Sequence, residues 1–272
     1  MADLTQKEFK LFKDYIFEIA GISLSDQKVS LLKSRLSKRL RKLGLETFTE
    51  YYEYVTHGHD DEIPELLNAI TTNVTSFFRE PIHWKFLEEY CKSSEFKDYN
   101  RKLRIWSSAS STGQEPYTIA MALQEYIPDI SQWDIKILAT DMDTQVLAKA
   151  QSGVYTTKEV GDLSPHYLRH YFETQARDHH IDYRVKKKLR DQVLYRSFNL
   201  VRGNYKMFRK PFDIIFCRNV MIYFDRDTRD ELVKHFYDLL PKGGLLFIGH
   251  SESITKNLEY FELIKPSIYR RK

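Results

Sequence analysis

Cysteine is nearly missing from this chain, glycine is sparse, and no long apolar run interrupts it. The two cysteines, Cys91 and Cys217, cannot build a disulfide framework, and their spacing fits no metal motif in which cysteines sit a few residues apart. Nowhere do about 18 consecutive apolar residues occur, the length a membrane-crossing helix needs. The opening segment MADLTQKEFKLFKDY carries an acid early and no apolar run of signal-peptide length. No membrane insertion is therefore expected, and a reducing cytoplasm is the expected compartment. The ten glycines include no GxGxxG fingerprint, so a nucleotide site has no ready-made signature. Internal repeats, low-complexity tracts and Gly/Ser linkers are also absent, which leaves changes of hydrophobic period to mark domains. The net charge of +4 is too small to imply a polyanion partner, so the distribution of charge matters more than its total.

What the chain does have is apolar mass. Its 272 residues are 42% hydrophobic, with 17 Phe and 18 Tyr, enough for one large domain or a medium domain with a smaller companion. Over residues 1–70 the apolar positions Phe9, Phe12, Tyr15, Ile16 and Ile19 recur at helical spacing. Val29, Leu32, Leu36, Leu40 and Leu43 do the same, with Gly44 as a stop. A small helical domain is expected there, followed by a second domain over 71–272.

From Arg101 onward short apolar runs alternate with helical stretches, the pattern of parallel strands joined by crossover helices. Leu103 to Trp106, Ile135 to Ala139, Phe212 to Cys217 and Leu245 to Ile248 read as strands. Pro116 to Tyr126, Thr144 to Gln151 and Arg229 to Leu240 read as helices. Residues 171–199 break the alternation, because IDYRVKKKL and VLYRSF repeat with period two, so a small antiparallel insertion is expected over that span.

Three strand ends carry candidate chemistry. RKLRIW runs into SSASSTGQEP, aiming loop amides and a helix N-terminus at a ligand. The next strand ends at Asp141, 28 residues after Gly113, where doubly wound folds hydrogen-bond a ribose. Helix capping by Asp141 and Asp143 explains the same residues without a ligand. FDIIFCRN brings Arg218 and Asn219 out of a buried run, and ion pairing and capping explain those equally well. Both readings stand on the residues alone.

Five strings in order resolve the choice. TTNVTSFFREP, SASSTGQEPYTIAMAL, ATDMDTQVL, FDIIFCRNVMIYFD and GGLLFIGHSES closely resemble the CheR family of chemotaxis receptor glutamate methyltransferases, over nearly the whole chain through Ser253. The resemblance implies a class I methyltransferase domain, a doubly wound α/β sheet, with an N-terminal all-helical domain and a small inserted antiparallel β-subdomain. It implies S-adenosyl-L-methionine as cofactor, S-adenosyl-L-homocysteine as product, and methyl esters formed on glutamates of receptor cytoplasmic helices. Asn73, Thr75 and Arg79 match positions beside the methionine half of the cofactor. Glu115 matches the amino-acid end, Asp141 the ribose hydroxyls, and Asn199 and Leu200 the adenosine moiety. Arg218 and Asn219 match further cofactor contacts, and Tyr223 a position close to the reacting methyl. Gln114 stands where many relatives carry a second acid. The loop of TQARDHHIDY lacks the glycine of relatives that dock a receptor C-terminal tail peptide, which leaves tail docking open.

These residue types suit the reaction. A glutamate has a reference pKa of about 4.3, so at neutral pH the acceptor is already a carboxylate and needs no general base. Arg79 is the expected carboxylate holder, since guanidinium and carboxylate match in a planar, two-pronged geometry. Tyr223 is expected to orient the methyl or the attacking oxygen. In KVSLLKSRLSKRLRKLGL, Lys33, Arg35, Lys38, Arg39, Arg41 and Lys42 crowd the face opposite the leucines, with nothing nearby in sequence to balance them. A solvated helix face accounts for such a run. The family resemblance turns the expectation toward Arg35, Lys38, Arg39 and Arg41 meeting an acidic receptor helix.

Other readings are weaker. Nucleic-acid methylation could use the same basic helix, but the near-neutral total and the absence of an aromatic-basic motif argue against nucleic acid. A non-catalytic cofactor-binding regulatory module does not account for Arg79 and Tyr223. GHSES lacks the final glycine of a serine-hydrolase elbow. Cys217 reads as a small buried hydrophobe, and His179 and His180 as a polar loop without metal-ligand companions, so no metal is expected.

Overall fold

The computed structural model describes residues 3–59, 61–71, 73–97, 100–177, 180–254, 256 and 259–272. Four helices come first: α1 (Gln6–Ala20), α2 (Val29–Leu43), α3 (Phe48–Thr56) and α4 (Glu62–Ile70). Thr5 and Glu8 form a capping box that starts α1, and Thr47 and Glu50 form another on α3. Gly21 and Gly44 end α1 and α2 in the left-handed conformation, at φ of 67° and 71°. Phe12, Ile16, Leu32, Leu36 and Leu40 are buried as their spacing requires.

Two further helices, α5 (Pro81–Cys91) and the short α6 (Ser94–Lys97), lead to the α/β part. This comprises β1 (Lys102–Ser107), α7 (Gln114–Tyr126), β2 (Asp134–Asp141), α8 (Thr144–Ser152), β3 (Val154–Thr156), α9 (Pro165–Tyr171), β4 (Phe172–Arg177) and β5 (His180–Val185). It continues with α10 (Lys187–Arg190), β6 (Val193–Ser197), β7 (Ile214–Cys217), α11 (Arg226–Leu239), β8 (Leu245–Ile248), β9 (Phe261–Lys265) and β10 (Ile268–Arg271). The main sheet has the order β6-β2-β1-β7-β8-β10-β9. Neighbours are parallel except around β10, which runs antiparallel to β8 and β9. β7 and β8 are buried at every position, as strands covered on both faces must be. The helical segment shares one apolar cluster with a face of this sheet, Leu36 and Phe12 belonging with Trp106, Ile215 and Phe236. The other face packs under α5 and α7.

The doubly wound sheet, the helical N-terminal part and a small antiparallel sheet are all present. One strand lies elsewhere than its period implied. The small sheet is β3-β5-β4, whereas VLYRS, grouped above with the insertion over 171–199, is β6 and pairs in parallel with β2. Its alternation arises because β6 is an edge strand with one wet side, Leu194 being half exposed. Period two reports that exposure but not the partner. Asp178 and His179 of TQARDHHIDY lie outside the described residues. Among the described residues no helix is long and apolar enough to cross a membrane.

Candidate functional site

Strand order reverses between β1 and β7, the place where an open α/β sheet leaves a crevice beyond its strand tips. A cleft of about 1160 Å³, partly open to solvent, occupies that place. Asn73, Thr75, Arg79, Glu115, Asp141, Asn199, Leu200, Arg218, Asn219 and Tyr223 all line it. Every residue expected from sequence to touch cofactor or the reacting atoms is thus on one wall or another.

The loop after β1 is built around Gly113, whose φ is 95°. A Cβ there would sit 2.8 Å from both Ala150 Cβ and the Tyr155 hydroxyl, so no side chain fits. That close approach delivers Glu115 in the first turn of α7. Ser107 Oγ donates to Glu115 Oε1 at 2.7 Å, and Arg218 Nη1 donates to Oε2 at 2.8 Å. At the tip of β2, Asp141 accepts from Ser111 N at 2.8 Å and from Asp143 N at 3.1 Å. Burial pushes its carboxyl up to about 6 against those two bonds. Asp143, not Asp141, is the cap of α8, accepting from Gln145 N and Val146 N. Its other oxygen receives Asn73 Nδ2 at 2.8 Å, which fixes the loop that starts at Asn73 beside the cleft.

Arg79 sits between two residues in the left-handed region, Phe78 at φ 51° and Glu80 at φ 59°. Such conformations cost non-glycine residues energy and persist only where the surroundings hold them. Glu80 supplies the hold. It accepts from Arg218 Nη2 at 3.1 Å, Asn219 Nδ2 at 3.1 Å and His250 N at 3.2 Å. Burial opposes its charge, but Arg218 and these donors hold its carboxyl below the usual range. Arg218 Nη2 also donates to the Arg79 carbonyl at 2.5 Å. Arg218, its side chain 2% exposed, is therefore enclosed by protein, and orients Glu115 and the Arg79 loop together. Among the described residues the Arg79 guanidinium makes one bond, Nη1 to the Val74 carbonyl at 2.8 Å.

On the opposite wall Asn199 is a brace. Its Nδ2 donates to the Ile19 carbonyl at 2.9 Å, and its Oδ1 accepts from Val201 N and Arg202 N. Leu200 beside it is buried. Tyr223 closes the short turn Met221–Tyr223, and Lys28 Nζ lies 5.5 Å from its ring centre.

The basic face of α2 divides. Arg39 bonds Glu62 through Nε at 2.9 Å and Nη2 at 2.7 Å, and Glu65 through Nη1 at 2.7 Å, with only 11% of its side chain exposed. Arg35 Nη1 donates to the carbonyls of Ile70 and Thr71, and Lys33 pairs with Asp3. No counterion stands nearby in sequence, but the fold brings distant ones to this face. Arg39 is the tie between α2 and α4, its guanidinium committed to Glu62 and Glu65, and Arg35 positions the end of α4. Lys38, Arg41 and Lys42 remain exposed.

Sequence reasoning missed Glu80 and Glu252. Glu252 gathers Gly249 N, Asn219 N and Ile222 N, so GHSES is a carboxylate-knotted turn rather than a nucleophile elbow. Burial pushes the Cys217 thiol up, in keeping with a hydrophobe. Glu80, His83 and His250 put three ligand-type atoms within 4.8 Å of one another. Arg218 is already the cation on that carboxylate and disfavours a second one.

The lining suits a nucleoside with a charged amino-acid tail. Asp141 uses one acceptor site per oxygen and keeps capacity for two ribose hydroxyls. Ser108 Oγ, buried in the floor, has no nitrogen or oxygen partner among the described residues. Leu24, Leu200 and Phe224 offer apolar contact for a base, while Glu115 and Asp141 favour positive charge.

Comparison with known proteins agrees with this geometry. Residues 73–270 match the family described as CheR methyltransferase, SAM binding domain, and residues 7–71 match its all-alpha domain. The chemotaxis protein methyltransferase of Salmonella typhimurium is 39% identical over 268 residues, 98% of this chain and 90% of that protein. Its counterpart from Escherichia coli is 39% identical over 270 residues, 98% and 91% of the two chains. That of Borreliella burgdorferi is 39% identical over 277 residues, covering 99% and 95%.

Proposed function

The chain belongs to the CheR methyltransferase family, whose larger domain binds S-adenosylmethionine, and from that premise we propose that it esterifies glutamate side chains on the cytoplasmic helices of chemotaxis receptors. The names of its relatives support the chemotaxis setting. When bound, the cofactor supplies an electrophilic methyl group on a cationic sulfur. The acceptor carboxylate forms the new O–C bond, the C–S bond breaks with its electron pair going to sulfur, and no proton moves. The protein's task is placement, which can be worth on the order of 7–11 kcal/mol.

Each wall has a part in that placement. Asp141 takes the ribose hydroxyls and Glu115 the amino-acid end, with Arg218 and Asn219 fixing Glu115 and Glu80 around it. Asn73 and Thr75 line the methionine half. Asn199 shapes the adenosine side through the backbone it braces, and Leu200 packs there. Arg79, with one bond made to Val74, keeps guanidinium edges for the incoming carboxylate. Tyr223 orients the reacting atoms. Lys38 and Arg41 give the exposed positive charge that draws in an acidic receptor helix.

The observation that carries this reading is the placement of Arg79 and Tyr223 in the same cleft as Glu115 and Asp141. The test is transfer of tritiated methyl from S-adenosylmethionine to receptor-bearing membranes, followed by mild alkali. Label released as volatile methanol is expected, since a carboxylate ester hydrolyses. No label, or label that resists base, would refute esterification.

A further inference from the structure

We infer that Leu31, Val74 and Ile222 form an apolar collar at the cleft mouth that selects an acceptor glutamate by its apolar neighbours on an amphipathic, acidic helix. This rests on the glutamate-ester reading above and deepens it. Val74 is 73% exposed, Ile222 50% and Leu31 43%. Single exposed apolar residues are ordinary, but grouped around a functional opening they mark a docking surface. Leu31 and Val74 line the cleft, and Ile222 directly precedes Tyr223, which lines it too.

The backbones beneath are held, so the exposure is imposed rather than a frayed end. The Val74 carbonyl accepts the Arg79 guanidinium at 2.8 Å. Ile222 N donates to Glu252 Oε1 at 3.3 Å. Arg35 ties α2 to the end of α4, just ahead of the loop that carries Val74. The apolar collar and the carboxylate-holding arginine are thus set by one network.

Charge identifies the occupant. Leu31, Arg35, Lys38 and Lys42 follow one another at three- and four-residue steps, so they share one face of α2. Lys28, just ahead of the helix, and Leu31 line the cleft, and Lys38 and Lys42 lie exposed further along. The strip from Leu31 to Lys42 runs about 16 Å. A helix laid along it meets apolar surface beside the reacting carboxylate and positive charge two to three turns away. On such a helix the neighbours of the acceptor on the same side stand three and four residues from it. The collar therefore reads those positions, and the lysines read acidic residues beyond them.

The experiment uses the full chain and a receptor cytoplasmic fragment that wild type methylates. For Val74→Asp and Ile222→Asp, KM for the fragment should rise about tenfold or more, and S-adenosylhomocysteine affinity of Ile222→Asp should stay within about twofold. Val74→Ile should return KM toward wild type. On the fragment, a lysine placed one helical turn from the acceptor glutamate should cost a similar factor with wild type and less with Val74→Asp, whose carboxylate pairs with it, a coupling that a mere folding defect does not produce. Unchanged KM in both aspartate variants, or equal loss with both enzymes, overturns the collar. A wild-type enzyme that methylates no receptor fragment defeats the functional reading instead.

Discussion

Lowering the pH through 6 should loosen the grip on the cofactor, and Asp141 is the reason. Burial sets its carboxyl at about 6 in the ligand-free protein, while the hydroxyl donors of a ribose require the charged form. Binding then competes with protonation, and the apparent Kd is multiplied by one plus ten to the power of pKa minus pH. The factor is negligible at pH 7, about 2 at pH 6 and about 11 at pH 5. Calorimetric titration of S-adenosylhomocysteine at fixed ionic strength from pH 8 to pH 5 measures it. Asp141→Asn should bind weakly at pH 7 and lose the pH dependence. Stability moves the opposite way. The folded value of about 6 lies above the ordinary aspartate value of 3.8, so the folded protein takes up a proton more readily than the unfolded one. The stability gained through Asp141 therefore appears as pH falls through 6 and is complete below 3.8. It amounts to roughly 2 to 3 kcal/mol, read as the changing difference between wild type and Asp141→Asn. A flat Kd across this range, or an asparagine variant with wild-type affinity, would refute the assignment of Asp141 to the ribose.

Other outcomes follow from the same geometry. Arg79→Ala should abolish receptor methylation while S-adenosylhomocysteine affinity stays within a few-fold, if its guanidinium holds the acceptor as proposed; unchanged turnover removes it from the mechanism. Arg39→Ala leaves Glu62 and Glu65 without their cation and should destabilise by about 3–5 kcal/mol in chemical denaturation, whereas Lys38→Glu should leave stability alone and raise KM for receptor at low salt. Equal, small effects from both would return Arg39 to the surface. Gly113→Ala forces a Cβ to 2.8 Å from Ala150 Cβ at a φ of 95°, and should lower both melting temperature and cofactor affinity; a variant with wild-type calorimetry would show that the loop yields.

Much of the fold was readable because the interior strands are apolar without interruption. Ile214 to Cys217 and Leu245 to Ile248 could not face water on either side, and parallel strands in a covered sheet look like that. The partner of VLYRS was not readable, since alternation states only that one side is wet. In the site, residues at strand tips were found because topology puts them there. The hubs were not. Glu80 meets Arg218 across 138 positions, and Glu252 serves backbone amides, which leave no mark in side-chain pattern. The balance of charge on α2 was hidden for the same reason, its counterions standing 23 and 26 residues away on α4.

Tyr223 is also anchored outside its own domain. Its carbonyl accepts Ser23 N at 2.8 Å, and the next residue, Phe224, bridges to Ile22. The segment between α1 and α2 is thus stitched to the turn that carries Tyr223. A load applied to α2 by a docked helix is passed within a few residues to the tyrosine's main chain. On the proposed reading, grip on the acceptor and aim at the methyl group are parts of a single lever, so changes that slacken that stitch should spoil turnover even where every side chain of the cleft is intact.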